Sequence, residues 1–503
     1  MKKLTLASMP QWAMPSMLRL PRLPWPGLGQ TGLTLLVALA SAAVLLTGCA
    51  TPGEPTPRLS ETTPAAVGLA DSATAAVSAR WWAQLGDEQL TRLVDQALRD
   101  QPSLALAQAR VARAQSAAQI TEAADGPQAQ LSVDAARQRY TENGLVPPPI
   151  AGSIRNTGTI QAGFSWSPDW YGQQAAALQA SLGQARAAQA DAALAANALA
   201  TQVTRGYVAL TRLLAQRDVA ERTLAQREEL RQLTQQRVSA GLDTQVELVQ
   251  ADSALPDTRA QIEALDEQIA LARHQLAALS GQAPNALDTL SPSMDRLAMP
   301  MLPTSLGADL LGRRPDVVAA RWRVEAATQE AKVARTQFYP NINLTAFVGL
   351  NAIGLDQVLD GGSRQYGVAP ALRLPLFDGG RLRAQFKGRE ADVNAAVAQY
   401  NAAVIDAVRE SSDAISSLQS LARQRQAQGE ALAGAQKAHE LAMQRYRAGL
   451  GSYLIVLNTE SQWLAQRRQA VDLRAREMDT GVALMKALGG GWMDDAPVIA
   501  AAH

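Results

Sequence analysis

The sequence predicts a mainly α-helical, internally duplicated chain whose few strands belong to a membrane β-barrel. Three observations predict it. Two stretches of nearly seventy residues carry a helical pattern with no proline, Gln173 to Ala240 and Arg381 to Ala448. Four short segments alternate apolar and polar residues. A block of sequence recurs at a fixed offset, glycines included.

In chain order, the first element is an address. Lys2 and Lys3, with Arg19 and Arg22, precede an apolar run from Leu33 to Leu46 that ends in Leu46-Thr47-Gly48-Cys49. The run is too short for a membrane-spanning helix and reads as a secretion signal over residues 1–48. Its positive region is long, which leaves Met1 and Met17 both open as starts. Cys49 is the only cysteine among 503 residues, so the chain has no internal disulfide. Cys49 sits where cleavage belongs and looks like the acceptor of a bacterial lipobox. That likeness implies cleavage before Cys49, acylation of its thiol and a lipid anchor. Ala50 in place of an acidic residue implies sorting to the outer membrane. Residues 49–80, rich in Pro, Thr, Ser and Ala, read as a flexible tether, and the ordered body is expected from Trp81-Trp82.

Strands are expected at about 128–141, 158–168, 341–351 and 364–376. Leu131, Val133 and Ala135 alternate with polar or small residues in the first, and Ile160, Ala162, Phe164 and Trp166 in the second. Ile342, Leu344, Ala346, Val348 and Leu350 mark the third, and Tyr366, Val368, Leu372 and Leu374 the fourth. Each has about the ten residues of a tilted membrane strand, with the apolar set expected to face lipid. Trp166, Trp170 and Tyr171 fall where an interfacial girdle belongs. Four strands cannot close a barrel, and an open edge is prohibitive in hydrocarbon, so several copies must share one.

Each long helical stretch spans roughly 100 Å at ~1.5 Å per residue. A return helix follows each. The first carries Leu248, Leu255, Ile262, Ile269 and Leu276 at sevens, and the second Leu457, Leu464, Val471, Met478 and Met485. Pro256 should bend the first or mark a break. The repeat unites these elements. Gln236-Arg237-Val238-Ser239-Ala240-Gly241-Leu242 recurs 208 residues on as Gln444-Arg445-Tyr446-Arg447-Ala448-Gly449-Leu450. An offset of 213 aligns Pro102 with Pro315 and Pro127 with Pro340. The division read from this is 81–280 and 306–488 for the repeats, 281–305 between them, and 489–503 as a tail.

The chain resembles the TolC-like outer-membrane efflux channels, in particular their NodT-type lipoprotein branch. The carrying residues are Leu311-Gly312-Arg313-Arg314-Pro315-Asp316-Val317, Phe338-Tyr339-Pro340, Leu376-Phe377-Asp378-Gly379-Gly380 and Ala487-Leu488-Gly489-Gly490-Gly491-Trp492. The resemblance implies a homotrimer with a twelve-stranded barrel on a coiled-coil periplasmic tunnel, and an equatorial belt from residues 281–305 and the tail. It implies a passive outer-membrane duct for drugs or other small toxic molecules, fed by an inner-membrane pump through a periplasmic membrane-fusion adaptor. A protein-secretion duct and a pore-less envelope lipoprotein are the alternatives. The tips Gly241-Leu242 and Gly449-Leu450 then dock the adaptor. The family's two entrance aspartates fall on Ile455 and Asn458, with Glu460 acidic nearby. Glu247 and Tyr446 match an aspartate–tyrosine latch, and three Ile455 side chains on the axis would make a hydrophobic gate.

Composition excludes other classes. Aromatics are 4%, and 47 basic residues balance 46 acidic ones, which offers nucleic acid no basic surface. The only histidines are His274, His439 and His503, so no histidine-built catalytic or metal centre is expected, and no cofactor. Carboxylates such as Asp87, Glu88, Glu228 and Glu229 lack a histidine or serine partner, so no enzyme is expected.

Overall fold

The computed structural model describes residues 53–55, 57–69, 77–299 and 307–493. Cys49 and its leader, part of the tether, residues 300–306 and the tail beyond 493 lie outside them. Among the described residues no helix is long and apolar enough to cross a membrane.

The order is α1 (Glu88–Asp100), α2 (Pro102–Ala123), β1 (Gln128–Arg139), β2 (Ile154–Trp166), α3 (Gln173–Ser239) and α4 (Gln245–Leu279). A second set follows: a helical turn at Leu310–Arg313, α5 (Pro315–Thr336), β3 (Asn341–Ile353), β4 (Arg364–Arg373), α6 (Arg381–Arg447) and α7 (Tyr453–Ala487). The duplication is metrical: α3 and α6 each have 67 residues, and α4 and α7 each have 35. Pro102 and Pro315 open their helices at the first position, where the missing N–H costs nothing.

The four strands form one antiparallel sheet in the order β1-β2-β3-β4. Paired residues share a face, so register decides amphipathicity. Leu131, Ala162, Val348 and Tyr366 make one row, and Ala129, Phe164, Ala346 and Val368 the next. Ser132, Gln161, Gly349 and Gln365 make a row of the opposite face, where Gln365 donates to Gln161 at 3.0 Å. The alternation of each segment thus adds up to one continuous apolar face and one polar face. Phe347 departs from this, as does Ile353 at the strand end: Phe347 stands on the polar face, over Gly367, where a β-carbon would meet its ring at 2.7 Å. β2 starts four residues before the sequence places it, because residues 154–157, which break the alternation, still pair with residues 136–139 through the backbone ladder. At the lower rim Trp166 donates to Asp125 O (3.1 Å) and Tyr171 stacks on Tyr339 (4.9 Å).

The helices close on small side chains. At Gly183 of α3, an added β-carbon would lie 3.1 Å from Ala326 Cβ and 3.3 Å from Trp322 O of α5, so nothing larger fits without displacement. Two main cores follow the duplication. One joins Trp81, Leu90, Val94, Val203, Tyr207, Leu210 and Leu276 to Met478 and Met485; the other joins Leu310, Val317, Val397, Val404, Leu484 and Leu488. Arg314, within the Arg-Arg-Pro-Asp motif, is buried under the second. It donates to Asp316 (2.6 Å), Glu410 (3.0 Å) and Ala487 O (3.1 Å), tying α5, α6 and α7. Burial opposes its charge, yet Asp316 and Glu410 outweigh that and raise its pKa.

One expectation is corrected and another narrowed. Residues 57–69 are not a free tether. Asn394 Oδ1 accepts from Arg58 N (2.7 Å) and Leu59 N (3.2 Å), Asn401 exchanges bonds with Thr62 and Ser60, and Leu69 is buried in the second core. Asn394 and Asn401 are seven residues apart, two turns of α6, so they offer amides along one helix face. Pro256 does not break α4. The ladder loses only the N–H that would reach Asp252 O, and the neighbouring Ala254 O accepts from Arg227 (3.2 Å) and Thr258 Oγ1 (2.7 Å).

Candidate functional site at the helix tips

Both long helices end alike. At the end of α3, Gly241 takes φ 70° and Leu242 N donates back to Arg237 O at 2.9 Å. At the end of α6, Gly449 takes φ 75° and Leu450 N donates to Arg445 O at 2.8 Å. This left-handed cap satisfies orphan carbonyls and reverses the chain, and glycine adopts it without strain. It leaves Leu242 and Leu450 at 63% and 71% exposure.

Between the tips lies a buried polar cluster. Arg237 donates to Asp243 through Nε (2.8 Å) and Nη2 (3.2 Å), and through Nη1 to Tyr446 O (2.9 Å). The Tyr446 hydroxyl donates to Asp243 Oδ2 at 2.5 Å and lies 3.1 Å from Thr234 Oγ1. The Arg237 guanidinium rests 4.5 Å over the Tyr446 ring, whose edge meets Tyr453 at 6.1 Å. Leu230, Ala251, Ala442, Tyr453 and Val456 surround the cluster with apolar atoms. Burial alone would raise the Asp243 pKa, but the bonds from Arg237 and Tyr446 outweigh it and hold the carboxyl below its ordinary range. Burial and then Asp243 push the Tyr446 phenol up to about 12, so it stays a neutral donor. One carboxylate therefore collects the end of α3 and the end of α6.

A second tie lies further from the tips. Arg227 of α3 pairs with Glu460 of α7 at 3.3 Å and donates to Thr258 Oγ1 of α4 at 2.8 Å. Glu460 is 2% exposed, and burial raises its pKa despite Arg227.

The residues expected at the gate separate. Tyr446 is in the cluster, but its carboxylate partner is Asp243. The expected Glu247–Tyr446 latch is corrected: Glu247 closes a capping box with Thr244, accepting its N–H at 2.9 Å and its hydroxyl. That local bond needs no tertiary contact, and it is the largest influence lowering the Glu247 pKa. Glu460 is sequestered with Arg227 and does not line an open rim. Ile455 (53% exposed) and Asn458 remain exposed on α7. Gly241, Leu242, Gly449 and Leu450 are at the two reversals, and Cys49 lies outside the described residues. Sequence reading missed Thr234, Arg237, Asp243, Tyr453 and Arg227. The repeat held a signal: at the offset of 208, Asp243 faces Gly451 and Val238 faces Tyr446. The two halves differ where one supplies the acceptor and the other the donor.

Among the described residues no group of His, Cys, Asp and Glu could hold a metal ion.

The comparisons agree with this architecture. The family model described as "Outer membrane efflux protein" matches residues 93–282 and 306–490. The chain is 35% identical over 375 residues to the fusaric acid resistance protein FusA of Burkholderia cepacia, covering 72% of this chain and 70% of that one. It is 32% identical over 468 residues to the multidrug resistance outer membrane protein MdtQ of Escherichia coli O6:H1, covering 91% and 98%. Its structure is similar to that of the outer membrane protein VceC from Vibrio cholerae, with a TM-score of 0.77 and 34% identity, covering 82% of this chain and 98% of that one.

Proposed function

The chain belongs to the outer membrane efflux protein family, and we propose that it is the outer-membrane channel of a tripartite efflux system. In this reading it conducts small toxic molecules passively, and an inner-membrane pump acting through a periplasmic adaptor supplies selection and energy. The observation that carries the reading is the sheet. Its register places the apolar residues on one face, and β1 and β4 each leave an unpaired edge. Open edges in hydrocarbon are prohibitive, so neighbouring copies must complete the cylinder, and a homotrimer gives twelve strands. Strands of 10–13 residues suit an even-numbered tilted barrel.

The tip reversals are the proposed docking points, with Gly241, Leu242, Gly449 and Leu450 presented to the adaptor. The Arg237–Asp243–Tyr446 cluster is the proposed latch of the closed entrance, and the exposed Ile455 and Asn458 are proposed to face the axis once three copies meet. Relatives named for fusaric acid and multidrug resistance make small organic toxins the proposed cargo.

The test is refolding of the mature chain and its insertion into planar bilayers. Conductance steps accompanied by cross-linked trimers are expected; a monomer that inserts without conductance would refute the channel. The anchor is tested separately. Cys49→Ser should abolish acyl labelling in cells, and undiminished labelling would refute lipidation at Cys49. Arg58, the first docked amide, lies nine steps along the chain from Cys49, a reach of about 30 Å for an extended chain.

A further inference from the structure

The loop between β3 and β4 folds back over the apolar face of the sheet. Gly354 N donates to Asn156 O at 2.8 Å, prolonging the β2–β3 ladder by one bond. Gly354 then takes φ 121° and the chain turns. Val358 comes to rest on Gly158: a β-carbon at Gly158 would lie 2.4 Å from Val358 Cγ2 and 3.1 Å from Leu355 Cδ2. Gly158 stands in register between Ala135 and Ala352, on the side of the sheet that carries Ile160, Ala162 and Phe164. A glycine inside a strand marks a close approach, and here it seats the loop on the outside of the sheet.

Val358 and Ala352 are buried by this contact, whereas Leu355 and Leu359 stand 52% and 78% exposed. The loop binds much of its own backbone. Gln357 N donates to Gly354 O (3.3 Å), Asp360 N to Gln357 O (3.0 Å), Ser363 N to Asp360 O (3.0 Å) and Ser363 Oγ to Gln357 O (2.7 Å). Its height also fits. Within β3, ten residue steps lead from Ile342 to Ala352. That is about 34 Å along the strand and roughly 24 Å of height at a tilt near 45°, close to the ~25 Å apolar band of such barrels. Val358 sits at the upper row of that band. Asp356 and Asp360 beside the leucines set the depth at the headgroup boundary, where a carboxylate is tolerated.

We propose that residues 354–360 form a lipid-seated foot, in which Leu355 and Leu359 enter the acyl chains at the outer boundary of the membrane and the Val358–Gly158 joint holds them there. The occupant is lipid and not a second copy, because the loop sits on β2 and β3, the inner pair of the sheet. Neighbouring copies join at β1 and β4. The inference rests on the apolar face meeting hydrocarbon.

The experiment separates the two ideas. Leu359→Cys and, as control, Val348→Cys on the apolar face are made in a Cys49→Ser chain, which has no other thiol. Each is nitroxide-labelled and reconstituted in dioleoylphosphatidylcholine vesicles. Accessibility to oxygen, which partitions into lipid, is compared with accessibility to a water-soluble nickel chelate. The expected result is a several-fold higher oxygen-to-nickel ratio at both positions than at a label on Asn143 of the β1–β2 loop. Gly158→Val should return the Leu359 position to the Asn143 value and leave Val348 unchanged. A lipid signal at Val348 with a water signal at Leu359 overturns the foot alone. Water signals at both positions overturn the lipid-facing reading of the sheet. Exclusion of both reagents at Leu359 means a protein contact and also overturns the foot.

Discussion

Asp243→Ala is expected to loosen the closed entrance and raise the conductance of the reconstituted channel several-fold. Asp243 is the shared acceptor of Arg237 and Tyr446. Removing it leaves a guanidinium that is 10% exposed without its carboxylate. Stripping one partner from a buried pair costs about 3–5 kcal/mol, a shift of two to three decades in a two-state equilibrium. Tyr446→Phe removes one bond to a charged acceptor, about 1.5–3 kcal/mol, and should open the entrance less. Glu247→Ala removes only an exposed capping contact and should leave conductance near the parent value. Equal effects of Glu247→Ala and Asp243→Ala would refute the assignment of Asp243 as the latch. The same group predicts a pH dependence. Its folded-state pKa is lowered, so its stabilisation is complete above the ordinary carboxylate range and is lost as pH falls through the lowered value. Conductance should therefore rise only below about pH 4. It should do so less in Asp243→Asn, which has no charge left to lose.

Arg314→Ala is expected to destabilise the helical body by about 3 kcal/mol. The guanidinium of Arg314 is 6% exposed, and it bridges Asp316, Glu410 and the Ala487 carbonyl. The two carboxylates reach solvent in part, at 27% and 36%, so their release costs less than full burial would imply. The buried Ala487 carbonyl loses its shorter donor and keeps only the Ser411 hydroxyl at 3.5 Å, which adds to the effect. Arg314→Lys should recover only part of the loss, because an ammonium cannot reproduce the planar fork. Chemical denaturation followed by far-ultraviolet circular dichroism measures both variants. A change below about 0.5 kcal/mol for Arg314→Ala, the range of an ordinary surface substitution, would contradict the clamp.

What the sequence by itself determined is whatever repeats or is settled locally. Alternation with period two marked the four strands, and with the register it yields one apolar face. The recurrence of Ala-Gly-Leu marked both reversals, because a positive φ at a helix end demands glycine wherever it falls. Freedom from proline marked helices of 67 residues. The tertiary structure alone decided which carboxylate meets Tyr446, where Glu460 is paid for by Arg227, how residues 57–69 dock on α6, and that Gly158 seats Val358. Asp243 and Tyr446 are 203 residues apart. Each step along a helix turns a side chain by about 100°, so the azimuth of one rod on another selects among neighbouring candidates. Glu247, four residues from Asp243, is the candidate that the family resemblance offers. It turned instead to its own helix terminus, where a bond three residues away needs no tertiary contact.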